Sequence, residues 1–251
     1  LQKNFVSKVA SFMYKVAFRF PKKVLFQNEY DKRLFIKNKL VNRAIADVVP
    51  GSGLDLQKFR PQERIRKNKK FTFLLVSRLI HDKGILEYIE AIKKLKSKGV
   101  DAQFQILGDK DIAHRRGIPE KVIQQWIDNN IVDYLGRTDD VQPYLNSADC
   151  VVLPSYREGT PRTLLEAAGI GKPIVATDVP GCNNIVEDNY NGFLCKLKNA
   201  DDLADKMHKM LLLDHSKLTE FGKNGRLKVE REFDERIVID KYLHAIKEIK
   251  D

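Results

Sequence analysis

The chain has 251 residues, 43% hydrophobic and 31% charged, which suits a globular protein rather than a disordered one and allows one large domain or two small ones. Three scattered cysteines (Cys150, Cys182, Cys195) with no Cys-x-x-Cys pair exclude a disulfide framework and suit buried free thiols in a reducing cytoplasm. No apolar run reaches the ~20 residues of a membrane helix, and no signal peptide is visible.

The chain begins at Leu1 rather than Met and is read as a fragment. Its first 70 residues account for more than the whole +11 net charge: 18 Lys/Arg stand there against 5 Asp/Glu, while residues 71–251 hold 27 against 29. Such a basic segment can attract anionic lipid, nucleic acid or a phosphorylated substrate, or can simply be a solvated face. The pattern predicts a basic amphipathic helix over 5–19, a strand over 23–27, a helix over 30–40 and a strand over 44–49. Pro50-Gly51-Ser52-Gly53 follows as a turn-prone hinge, then a polar stretch to Lys70. Two strands and two helices bury little core alone, so this segment reads as the tail of a domain.

From Phe71 onward strands and helices alternate. Phe71–Val76 is a nearly continuous apolar run, as expected of a strand covered on both faces. A helix opening near Lys83 follows, with Ile85, Leu86, Ile89, Ile92 and Leu95 at helical spacing, ending at Gly99. Further strands are predicted at 104–107, 132–135, 150–153 and 173–176. Helices are predicted from Pro119 and over 141–147 and 160–169. Alternation of this kind implies right-handed crossovers and a parallel sheet. The remainder (203–213, 218–230, 236–249) reads as helices.

Open parallel sheets bind ligands at the carboxyl ends of their strands. After Leu153 come Gly159, Pro161 and the start of a helix, whose free N–H groups form an anion site. Glu158 precedes that helix and Glu166 lies within it. Two carboxylates beside a phosphate site repel phosphate but accept vicinal hydroxyls, which suits a diphosphate with a sugar on each side. Taken singly, Glu166 is as readily one more exposed helix residue, and Glu158 a helix-dipole partner. After Val76 come Arg78 and Lys83, a planar bidentate cation and a movable point charge able to stabilise a leaving diphosphate. An ion pair with an acid such as Asp82 is the plainer alternative for either. His81 reads as a surface histidine and Asp109-Lys110-Asp111 as a solvated loop. Gly169-Ile170-Gly171-Lys172 lacks the spacing of a phosphate loop and reads as a helix-to-strand turn. The run Arg64–Lys70 has no interleaved aromatics to stack on bases, so it reads as a linker and not a nucleic-acid site.

Ser77-Arg78-Leu79 and Lys83-Gly84, together with Glu158-Gly159-Thr160-Pro161 and Glu166-Ala167, resemble glycosyltransferase family 4, the group 1 glycosyltransferases of the GT-B fold. Their Glu-x7-Glu hallmark is met by Glu158 and Glu166. The resemblance also takes in Leu135-Gly136-Arg137, Ser147-Ala148-Asp149, Gly171–Thr177 and Asn191-Gly192-Phe193-Leu194. Phe26-Gln27-Asn28 and Pro50–Asp55 match the end of the family's first domain and its hinge.

It implies an α/β protein of GT-B type, with a Rossmann-like parallel sheet flanked by helices and an incomplete N-terminal domain. Residues 1–53 would be the tail of the acceptor domain, 54–70 a linker, 71–232 the nucleotide-sugar-binding domain, and 233–251 a helix packing back toward the N-terminal domain. It also implies roles: Arg78 and Lys83 on the donor diphosphate, Glu158 on hydroxyls of the transferred sugar with Gly159, Thr160 and Pro161 close by. Thr163 and Leu164 would offer backbone N–H groups to phosphate, Glu166 would take the ribose hydroxyls, and Gly136 and Arg137 would meet the base.

The implied activity is retaining, metal-independent transfer of a hexose or N-acetylhexosamine from a UDP-sugar, without any cofactor. The implied acceptor is a saccharide or lipid-linked saccharide in polysaccharide biosynthesis, in the cytoplasm or peripherally at the inner face of an anionic membrane. The family's glycine-rich loop and catalytic-site histidine have no counterpart here, so the fragment is expected to bind donor without turnover. Another GT-B enzyme, such as a nucleotide-sugar epimerase or a phosphorylase, and a non-catalytic nucleotide-binding module are the alternatives.

Overall fold

The computed structural model describes residues 5–62 and 70–250. The basic run read above as a linker falls outside them, except Lys70, whose ammonium pairs with Asp101 at 2.6 Å. The chain opens with α1 (Phe5–Ala17), β1 (Val24–Phe26), α2 (Glu29–Lys37) and β2 (Ala46–Val48). The strands β1 and β2 pair in parallel as a two-stranded sheet. Its core is small, with Val24, Phe26, Val41 and Ala46 buried and Phe35 packed against them. Tyr14 and Phe18 set their rings against Phe35, which seats one side of α1. Phe5, Phe12 and Met13 on the same helix stay exposed.

The main body follows as β3 (Phe71–Val76), α3 (Ile85–Ser97), β4 (Ala102–Leu107), α4 (Glu120–Asp128), β5 (Asp133–Tyr134), α5 (Gln142–Ser147), β6 (Cys150–Leu153) and α6 (Arg162–Gly169). Then come β7 (Ile174–Thr177), α7 (Cys182–Ile185), β8 (Gly192–Cys195), α8 (Ala200–Leu211), α9 (His215–Glu232) and α10 (Glu235–Lys250). The six strands form one parallel sheet in the order β5-β4-β3-β6-β7-β8. The first strand is thus central, the next two step to one side and the last three to the other, which is the doubly wound arrangement. The expected α/β class and parallel sheet are found. The sixth strand, Gly192–Cys195, is an addition to the five expected. Its leading glycine argues against a strand in a sequence reading.

Strand periodicity divides the core between the two faces of the sheet. Phe71, Phe73 and Leu75 of β3, with Cys150 and Val152 of β6, face a cluster completed by Ile85, Ile89 and Ile92 of α3 and Met207 of α8. Leu74, Val76, Val151 and Leu153 point the other way, against Leu164 and Leu165 of α6 and Val229 of α9. Both strands are buried along their whole length because both faces are covered.

The helix expected to open near Lys83 starts later. His81–Lys83 is a short 3-10 turn, and Gly84 at φ 68° separates it from α3. A methyl group at Gly84 would also collide with the Pro154 carbonyl, so glycine here lets the β3–α3 connection lie directly on the segment after β6.

The chain's two ends meet the main body through polar contacts. Leu54 donates its N–H to the Phe233 carbonyl at 2.8 Å, and Leu54 and Phe59 are buried in the second core cluster. Residues 54–59 thus pack on the main body. Lys241 of α10 donates to the Val48 carbonyl at 2.7 Å, Lys22 donates to the Ile249 carbonyl at 2.7 Å, and Lys23 pairs with Glu248. No helix among the described residues is long and apolar enough to cross a membrane.

Candidate functional site

The strand order reverses between β3 and β6, and the carboxyl ends of these two strands open the crevice where a doubly wound sheet takes its ligand. The segments after them carry Arg78, Lys83 and residues 158–166. They are tied across the crevice. The Thr163 hydroxyl donates to the Val76 carbonyl at 3.2 Å, and the Tyr156 N–H donates to the Asp82 carbonyl at 2.8 Å.

Lys83 and Glu158, 75 residues apart in sequence, are in direct contact: Nζ lies 2.5 Å from Oε1. Their side chains are only 23% and 11% exposed. The turn before α7 closes over Glu158. Gly181 has φ 91°, and a Cβ there would stand 2.7 Å from the carbonyl oxygens of both Glu158 and Gly159.

At the start of α6, Pro161 sits in the cap position without a side-chain capping bond. The Leu164 N–H, expected to face phosphate, instead donates to the Pro161 carbonyl at 3.1 Å. That tight first turn uses it up, as helix ends often do. Among the described residues the N–H groups of Arg162 and Thr163 have no acceptor, so the outward-facing donors lie one position earlier than expected. Gly159 and Thr160 face the N-terminal unit. Asn28 donates its amide to the Gly159 carbonyl at 3.0 Å, and the Thr160 hydroxyl donates to the Gln27 carbonyl at 3.0 Å.

Glu166 is not the exposed helix residue its position also allowed: it is 6% exposed. Arg162, one turn earlier, reaches it with Nε 2.8 Å from Oε1. Burial pushes the Glu166 carboxyl above its ordinary value of 4.5, opposed by the bond from Arg162 and by the more distant charge of Lys58. Gln142 at the start of α5 donates to the Lys58 carbonyl at 2.8 Å.

The arginines are held by the loop after β4. Arg78 pairs with Asp111 at 3.0 Å, not with Asp82, which pairs with Arg116 at 2.6 Å. Arg137 lies 3.7 Å from Asp109 and 3.9 Å from Asp139. The tripeptide expected to be a solvated loop therefore supplies one carboxylate to each arginine. Gly136 has φ 79°, with open space where a Cβ would lie, so the loop leaves room over this edge.

Sequence reasoning missed Ser155, which is fully buried just beyond β6 with no partner for its hydroxyl among the described residues. A lone serine in a loop carries no signal that would have singled it out. Among the described residues no cluster of three His, Cys, Asp or Glu side chains could hold a metal ion. A cavity of about 600 Å³ lies at the opposite end of the sheet, lined by Pro61, Ile170, Lys172, Pro173 and Arg226 among others. None of the candidate site residues borders it.

Residues 57–228 match the family described as "Glycosyl transferases group 1". The chain is 32% identical over 251 aligned residues to the N,N'-diacetylbacillosaminyl-diphospho-undecaprenol alpha-1,3-N-acetylgalactosaminyltransferase of Campylobacter jejuni, covering 96% of this chain and 64% of that protein. It is 30% identical over 225 residues to the UDP-Gal:alpha-D-GlcNAc-diphosphoundecaprenol alpha-1,3-galactosyltransferase of Escherichia coli, covering 84% and 56%. The chain thus spans between 56% and 64% of these relatives' length. The fold is shared with Anabaena Alr3699/HepE, solved in complex with UDP, at a TM-score of 0.86 and 21% identity over 99% of this chain and 70% of that one. With the GT-B fold in place and the family match running through both halves of the crevice, the chain belongs to the group 1 glycosyltransferases.

Proposed function

We propose that this chain is the donor-binding part of a retaining glycosyltransferase that moves a hexose or N-acetylhexosamine from a UDP-sugar to a saccharide or lipid-linked saccharide acceptor. The observation that carries the reading is the convergence at one crevice of a cation–carboxylate pair, two free helix N–H groups and a buried carboxylate. A diphosphate lying end-on to α6 meets the Arg162 and Thr163 N–H groups at the positive end of the helix. Lys83 and Arg78 stand on the β3 side, where charge develops as the diphosphate leaves. Glu158 accepts hydroxyls of the transferred sugar, Glu166 those of the ribose, and the Gly136-Arg137 loop meets the base.

The named activities of the two bacterial relatives, both acting on diphospho-undecaprenol-linked substrates, support a lipid-linked acceptor in polysaccharide assembly. The exposed apolar face of α1, with Lys8, Lys15 and Arg19 along or just beyond it, supports peripheral contact with an anionic bilayer. Calorimetric titration with UDP, GDP, ADP and dTDP tests the donor reading. UDP is expected to bind most tightly, and failure of all four to bind would remove the reading.

A further inference from the structure

The Lys83–Glu158 contact joins the two groups that the donor would separate. One faces the diphosphate and the other the transferred sugar. Among the described residues each is the other's only ion-pair partner, and both are largely withdrawn from water. Arg78 differs, because its carboxylate comes from a separate loop that need not touch the donor.

We infer that the Lys83–Glu158 pair is a specificity device that makes the empty site favour an intact nucleotide-sugar over the bare nucleoside diphosphate. A diphosphate can recruit Lys83 only by taking it from Glu158. With bare UDP, that leaves a shielded carboxylate unpaired beside a polyanion, and an uncompensated, desolvated charge is costly. With a UDP-sugar, hydroxyls donate to the same carboxylate and replace the ammonium, so the exchange costs little. The same logic favours departure of UDP after transfer. Once the sugar is gone, Glu158 loses its donors and reclaims Lys83. This inference rests on the donor assignment made above and adds to it a direction: neutralising Glu158 strengthens binding of the product-like ligand.

The test titrates the parent chain and Glu158→Gln with UDP, UDP-N-acetylgalactosamine and inorganic pyrophosphate, the last reporting on the phosphate site alone. UDP and pyrophosphate are expected to bind the variant about three- to tenfold more tightly, the scale of a half-shielded pair. UDP-N-acetylgalactosamine is expected to bind it no better than it binds the parent, so the preference for the sugar nucleotide collapses. Melting curves verify folding, and Glu158→Ala, which places no new polar group in the site, replaces the glutamine variant if that one does not fold. Unchanged or weaker UDP binding in a folded variant, with the parent binding UDP, overturns this inference alone. A parent that binds none of the three overturns the donor reading, and this inference falls with it.

Discussion

Replacing Glu166 by Gln isolates charge from shape at the residue assigned to the ribose. The carboxylate is buried and its one ion-pair partner among the described residues, Arg162, is 67% exposed, so the variant leaves Arg162 to water at little cost. Hydrogen bonds to a charged acceptor are worth about 1.5–3 kcal/mol, roughly twice neutral ones. Removing the charge should therefore cost about 1–1.5 kcal/mol, or about tenfold in UDP affinity.

The pH dependence has a definite sign. Burial raises the carboxyl of the empty protein above 4.5, whereas ribose hydroxyls donating to the carboxylate pull it back down. UDP binding then releases a proton, and affinity rises with pH through the raised value and levels off above it. UDP's own terminal phosphate adds a step common to both proteins, which cancels in the ratio of their affinities. Stability runs in the opposite sense. The unfolded chain ionises first, so the parent loses stability as pH rises from 4.5 toward the folded value, and the variant lacks that component. Calorimetry across the acidic range, with melting curves in parallel, reads both effects. Equal UDP affinity in parent and variant, or a ratio that does not change with pH, would refute the ribose assignment.

Gly84→Ala places a side chain at φ 68° against the Pro154 carbonyl; a loss of more than about 1 kcal/mol, or at least ~2–4 °C in Tm, is expected. Cys150, Cys182 and Cys195 are buried and free, and burial pushes the Cys195 thiol up to about 12. A thiol reagent should accordingly label none of them at neutral pH until denaturant is added, and rapid native labelling would contradict the packing. The α1 surface should bring the chain down with vesicles containing phosphatidylglycerol but not with neutral ones, and moderate salt should weaken that binding. Phe12→Ser should reduce it, and indifference to both lipid charge and this substitution would remove the membrane contact.

Local pattern carried the main sheet well because its strands are covered on both faces. Phe71–Val76, apolar but for Thr72, and Cys150–Leu153 are buried along their whole length, and the helix after β3 buries Ile85, Ile89, Ile92 and Leu95 at helical spacing. Failures came where a side chain's fate depends on distant neighbours. Gly192 reads as a strand breaker, yet it lies in β8 close under the Ile174 carbonyl, where any side chain would collide. Asp109 and Asp111 looked like loop solvation because nothing local shows that β3 and the segment after β5 bring arginines to them. The Lys83–Glu158 contact spans the strand reversal, so no window of sequence contains it. The residue types in the crevice were legible, but their pairings required the fold.

Where the diphosphate sits is the claim on which the rest depends. Backbone amide NMR shifts of the 251-residue chain on adding UDP would locate it. Large changes are predicted at Arg162 and Thr163, with smaller ones at Lys83 and Gly136. Changes confined to Lys172, His215 and Arg226 around the cavity at the other end of the sheet, with the start of α6 unmoved, would contradict the account.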